Sequence, residues 1–161
     1  MRFQSLLFDL DGTLTDPKEG ITSSVQYALR AFGIEVADLD KLTPFIGPPL
    51  RDSFRQFYGF DEERTEAAVA KYREYFSDRG IFQNEIYPGI RELLGELEES
   101  GRTLAVASSK PQVFVERILR YFDIYDCFSV IVGSGLDGSR ENKEAVVEEV
   151  LRQLERRILI G

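Results

Sequence analysis

Two aspartates, Asp9 and Asp11, stand in the run Phe8-Asp9-Leu10-Asp11-Gly12-Thr13-Leu14-Thr15-Asp16, directly behind the apolar stretch Leu6-Leu7-Phe8. A short apolar run closed by a Gly-containing turn reads as a buried strand, and open α/β sheets gather ligands at the carboxyl ends of such strands. Residues two apart in a strand face the same way, although Gly12 marks a chain already turning at Asp11. Carboxylates brought together repel unless a cation or a shared proton offsets the charge. The pair therefore calls for either a divalent metal or an acid/base partnership. The bland alternative is a plain Asp/Gly/Thr turn, with Asp16 capping the next helix.

Two later segments add groups of the complementary kind. Leu104-Ala105-Val106-Ala107-Ser108-Ser109-Lys110 reads as an apolar strand ending in hydroxyls, ahead of a helix start whose backbone N–H groups can hold an anion. Ser109, followed by Pro111 and Gln112, serves equally well as a helix cap. Lys143 opens the helix that carries Val147 and Leu151, where a cation opposes the positive end of the helix dipole. A local conflict of that sort is what a functional site produces. Lys110, in the loop expected after Ser108, is the rival cation, and a solvated surface lysine is the plain reading of Lys143.

The elements that must position these residues follow from periodicity. Asp16-Pro17-Lys18-Glu19 resembles a capping box, and Ile21, Val25, Leu29 and Phe32 continue at helical spacing to Gly33. A short helix is expected over Asp38 to Phe45, a loop at Ile46-Gly47-Pro48-Pro49, a helix through Leu50, Phe54 and Phe57, and a longer one through Val69, Tyr72 and Phe76. From Tyr87-Pro88-Gly89 the pattern changes to alternation: a helix through Ile90 to Leu97, a strand Thr103 to Ala107, a helix through Phe114 to Tyr121, a strand Phe128 to Val132, a helix through Val147 to Leu154, and a last strand over Arg157-Ile158-Leu159-Ile160. Alternation of this kind implies a parallel sheet with right-handed crossovers, and the helical block behind the first strand reads as an insertion. The expected division is an α/β doubly wound core of residues 1–15 and 85–161 and an all-helical cap of residues 16–84.

Composition narrows the function classes. The chain has 161 residues, 43% hydrophobic and 30% charged, with a formal net charge of −8. That balance fits a soluble globular domain and opposes general binding to nucleic acid or an anionic membrane. An anionic ligand would then need local positive groups to attract it. With no His and a single Cys127, Ser-His-Asp and Cys-His mechanisms are excluded and so is an internal disulfide. The cysteine usage fits a reducing cytosol, and the apolar run before Asp9 is too brief for a signal peptide, so a cytoplasmic location is expected.

The Asp-Leu-Asp-Gly-Thr run resembles the first signature of the haloacid dehalogenase-like hydrolases, the aspartate-nucleophile phosphatases. The strand closed by Ser108 resembles the second signature, and Lys143 resembles the third. The resemblance is nearest to the helical-cap branch that includes phosphoglycolate phosphatases and 5′-nucleotidases. It implies a Rossmann-like core and hydrolysis of a small phosphorylated metabolite through an aspartyl-phosphate, with Asp9 as nucleophile, Asp11 as acid/base and Lys143 as the third catalytic group. It also implies Mg2+ held at Asp9 and Asp11, and phosphate contacts from Ser108, Ser109 and Thr13. Phe45, Gly47 and Arg51 occupy the cap segment that reaches toward the site in similar proteins, which makes them specificity candidates; packing explains Phe45 at least as well, and an exposed surface arginine is the favoured reading of Arg51 over a contact to an anionic substrate group. The fourth signature, an acidic pair after a fourth core strand, is absent, so the core is expected to lack its C-terminal part. A phosphosugar mutase of the same branch and a truncated, inactive binding or scaffold protein are the alternatives.

Overall fold

The structure, a computed structural model, describes residues 4–160. By contacts the chain divides into two compact units, one running through Thr15 and resuming at Ile86, the other Asp16–Glu85. In chain order the first elements are β1 (Ser5–Phe8) and β2 (Thr15–Asp16). They are followed by α1 (Lys18–Arg30), α2 (Leu50–Tyr58) and α3 (Glu62–Asp78), with 3-10 turns at Leu39–Phe45 and Gly80–Phe82. After β3 (Glu85–Ile86) come α4 (Ile90–Glu99), β4 (Thr103–Pro111), α5 (Gln112–Tyr121), β5 (Val130–Ser134) and α6 (Lys143–Ile160). The alternation read from the sequence is thus realised as an α/β architecture with a parallel sheet.

That sheet has the order β1-β4-β5, with Phe8 opposite Val106 and Ala107 opposite Val132. β4 lies in the middle, and Leu104, Ala105, Val106 and Ala107 are all buried. A strand covered on both faces reads as a continuous apolar run, which is why this segment lacks the polar alternation of a half-exposed strand. One covering layer is α6, whose Val146, Val150 and Leu154 recur every four residues and pack on Ala105, Ala107, Val130 and Val132. Another helix, α5, buries Phe114, Val115, Ile118 and Leu119. At about 1.5–3 kcal/mol for each large apolar side chain taken from water, this layer fixes where the ends of β1 and β4 stand.

The last element differs from expectation. Arg157 to Ile160 continues α6 as helix and does not form a fourth core strand. The physical reason lies in what the segment lacks: no Gly, Pro or Asn separates Leu154 from Ile158, and arginines in a final turn suit the negative end of the helix. A run of a few apolar residues carries no period of its own, so its neighbours decide its conformation.

The unit Asp16–Glu85 is built from α1, α2 and α3. Along α1, Ile21, Val25, Ala28 and Leu29 are buried, as are Ala68, Val69, Tyr72 and Phe76 along α3. Asp61 caps α3 by accepting the N–H of Arg64 at 2.8 Å. Among the described residues no helix is long and apolar enough to cross a membrane.

Candidate active site

The end of β1 is shaped by a tight turn in which the Leu10 carbonyl accepts the N–H groups of Thr13, Leu14 and Thr15 at 3.2, 2.9 and 3.1 Å. Gly12 takes φ of +78° there, a conformation open to glycine and strained for other residues. The turn holds Asp9 and Asp11 at the carboxyl end of β1 while Leu10 between them is fully buried. Asp9 Oδ1 accepts the Leu10 N–H at 2.8 Å and faces Lys143 Nζ at 2.8 Å. The same Nζ donates to the Ala107 carbonyl at 2.5 Å, so Lys143 ties the ends of β1 and β4 together from the first turn of α6. That contact explains a lysine at a helix start, where the backbone alone disfavours it.

Asp11 has a different cation. Its Oδ2 meets Lys110 Nζ at 2.9 Å, with the two side chains only 10% and 7% exposed, whereas Asp9 and Lys143 are 40% and 45% exposed. Oδ1 of Asp11 is buried and makes no hydrogen bond. A buried carboxylate oxygen left in this state is unfavourable unless something fills the place during function.

Lys110 owes its position to an irregularity in β4. Ala107 pairs with Val132 and Pro111 with Ser134, so four steps along β4 span two along β5. A bulge of this type re-aims the side chains it carries. The Lys110 N–H donates to Ser108 Oγ at 3.2 Å. Where β4 departs from β5, the Gln112 side chain stands in for backbone, donating to the Ile131 carbonyl at 3.0 Å and accepting the Gly133 N–H at 2.5 Å. Gly133 is needed here because a Cβ would lie 2.6 Å from the Lys110 carbonyl oxygen.

The structure thus gathers Asp9 and Asp11 at the end of β1, with Lys143 of α6 on Asp9, and carries Ser108, only 2% exposed, in the irregular stretch of the adjacent β4. Ser109 is half-buried beside it and Thr13 is exposed in the turn after β1. Lys110, in sequence a loop residue and the rival cation to Lys143, belongs to β4 and pairs with Asp11. Its signal was the two-residue spacing from Ser108, which would have counted had the strand been extended past Ala107.

In the helical unit the specificity candidates stand as follows. Phe45 is buried against Phe54, Phe57 and Tyr58, with ring centroids 5.1, 5.4 and 6.2 Å away. Arg51 is clamped to Glu66, Nε to Oε1 at 2.5 Å and Nη2 to Oε2 at 3.0 Å, so the guanidinium braces α2 to α3. Gly47 lies in the bend before α2.

The haloacid dehalogenase-like hydrolase family matches residues 6–157. The chain belongs to that family. It is 52% identical over 151 residues to a 5′-nucleotidase of Pseudomonas aeruginosa, covering 94% of this chain and 68% of the relative. It is 43% identical over 162 residues to tyrosine-protein kinase PtkA of Mycobacterium tuberculosis, covering 98% of this chain and 55% of the kinase. The crystal structure of a predicted phosphatase from Clostridium acetobutylicum matches with a TM-score of 0.93 and 48% identity over 95% of this chain and 71% of that one. The chain therefore spans little more than half to about seven tenths of these relatives.

Proposed function

We propose that this hydrolase is a magnesium-dependent phosphatase that cleaves a small phosphate monoester, of the phosphoglycolate or nucleotide kind, through an aspartyl-phosphate on Asp9. The observation that carries the reading is the pairing of each aspartate with its own lysine, Asp9 with Lys143 and Asp11 with Lys110. Since Oδ1 of Asp9 is held by Lys143 and the Leu10 N–H, Oδ2 is the oxygen that attacks phosphorus. As the ester P–O bond breaks, Asp11 gives its proton from Oδ1 to the leaving oxygen; it then takes a proton from the water that opens the acyl-phosphate. A halide needs no proton on departure, so Asp11 favours phosphate over halide chemistry.

A phosphate dianion meeting Asp9 is repelled by about 4 kcal/mol per charge pair at about 4 Å and an effective dielectric near 20. Lys143 offsets that at the attacking carboxylate, and the N–H groups and hydroxyls at Ser108, Ser109 and Thr13 hold the phosphate oxygens. The donors at hand suit magnesium, which takes oxygen ligands and commonly relies on one or two carboxylates with water and substrate phosphate. Among the described residues no cluster of three or more His, Cys, Asp or Glu side chains forms a cage, so the shell would rest on the Asp9 carboxylate and the Asp11 carbonyl. When bound, the ion supplies neutralisation of charge on the phosphoryl oxygens. In this reading the helical unit is the cap, and the bend at Gly47 is its specificity candidate.

The test is release of phosphate from p-nitrophenyl phosphate with and without magnesium, together with mass spectrometry of the trapped enzyme. A phosphoryl group on Asp9 that disappears in Asp9→Asn is the expected result; turnover undiminished in that variant would overturn covalent catalysis. The 43% identity to a tyrosine kinase favours one second reading, in which a tyrosine hydroxyl replaces water as acceptor. Transfer of labelled phosphate to a tyrosine peptide in preference to water would select it.

A further inference from the structure

We infer that Lys110 is a positioning residue for the acid/base group: by holding Oδ2 of Asp11 it presents Oδ1 to the leaving oxygen. The inference rests on the phosphatase reading and adds a residue to it. Three observations carry it. The ion pair at 2.9 Å joins side chains that are 7% and 10% exposed, so water does not compete for Oδ2. The other oxygen, Oδ1, is buried and lacks a hydrogen-bond partner, as expected of an atom kept for a group that arrives with substrate. The backbone beneath Lys110 is built for this contact: the β4 irregularity between Ala107 and Pro111, the Lys110 N–H on Ser108 Oγ, and the absence of a Cβ at Gly133 all fix where the side chain starts. A carboxylate with one oxygen anchored has its plane and remaining oxygen fixed as well. Proton delivery depends on that direction to within tenths of an ångström.

The proton moves from Asp11 Oδ1 to the bridging ester oxygen, which takes the electron pair of the breaking P–O bond. A leaving group that departs readily as its anion has little use for this proton. One that departs poorly depends on it. The experiment compares p-nitrophenyl phosphate with phenyl phosphate, esters of like size and unlike leaving groups, in wild type, Lys110→Met and Lys110→Arg, each with magnesium and a melting curve. For Lys110→Met, the single-turnover rate of phenol or nitrophenol release, which reports the first step alone, is expected to fall about 100-fold on phenyl phosphate and less than about fivefold on p-nitrophenyl phosphate. Lys110→Arg, which keeps the cation and displaces the donor, is expected to lose about tenfold on phenyl phosphate alone. If Lys110→Met does not fold, the split between the two esters in Lys110→Arg decides the matter. Equal losses on both esters, or none, would overturn the positioning role while leaving the phosphatase reading intact. A wild type inactive on both esters would overturn the phosphatase reading, and the inference with it.

Discussion

The two lysine–aspartate pairs share their chemistry and differ in their surroundings. Lys143–Asp9 is nearly half exposed, while Lys110–Asp11 is about nine-tenths buried. An exposed pair gains little, because water screens both charges and two long side chains lose freedom. A buried pair has already surrendered its hydration, so removing one partner strands the other. The molecule thus has one cation on an accessible carboxylate at Asp9 and another on a buried carboxylate at Asp11. Exposure separates the two roles where residue type does not.

Several measurements break or sharpen this comparison. The largest effect is expected at Asp9, where Asp9→Asn keeps the shape and removes the proposed nucleophile; turnover should fall by more than about 10⁴-fold with an unchanged melting curve. Next is Lys143→Met, for which kcat should fall about 10²–10³-fold while stability moves by no more than about 1 kcal/mol. Lys110→Met reverses the emphasis in denaturant titration, with about 3–5 kcal/mol lost, most of it regained in Lys110→Met/Asp11→Leu because no buried charge is then left alone. Equal stability losses in the two lysine variants would remove the distinction. The smallest effect belongs to the Arg51–Glu66 pair in the helical unit, whose Glu66 side chain is half exposed. The hydrogen bond from Arg51, aided by its charge, holds the Glu66 carboxyl below its ordinary value of 4.5. Its contribution is therefore present above that value and lost as pH falls through the depressed one. Melting temperatures of wild type and Glu66→Gln should differ slightly at pH 7 and converge on acidification. A gap that persists into acid would assign Glu66 a role other than its charge.

Much of the architecture was legible because strong signals coincide. Apolar runs ending in polar residues marked β1 and β4, and helical spacing marked α1, α3 and α5. The same signals show why Asp9, Ser108 and Lys143 stood out: each breaks the pattern of the element that carries it. What escaped was decided by tertiary context. Nothing local to Lys110 reveals that β4 runs on to Pro111 through an irregularity covered by Gln112. Arg51 read as an exposed cation because its partner, Glu66, sits fifteen residues away on another helix. At Arg157–Ile160, apolar composition suited strand and helix equally, and the absence of a stop signal favoured helix.

The irregular stretch of β4 also makes residue count a constraint of its own. Pairing with β5 resumes at Pro111 only after the extra residues between Ala107 and Pro111, so dropping one of them changes where Lys110 starts. Deleting Ser109 would leave Leu104–Ala107 paired as before and turn Lys110 away from Asp11. A deletion variant with a native circular dichroism spectrum that releases phenol from phenyl phosphate at least as slowly as Lys110→Met is the expected product. In this segment length constrains the site as identity does, and a substitution scan, which preserves length, would pass over it.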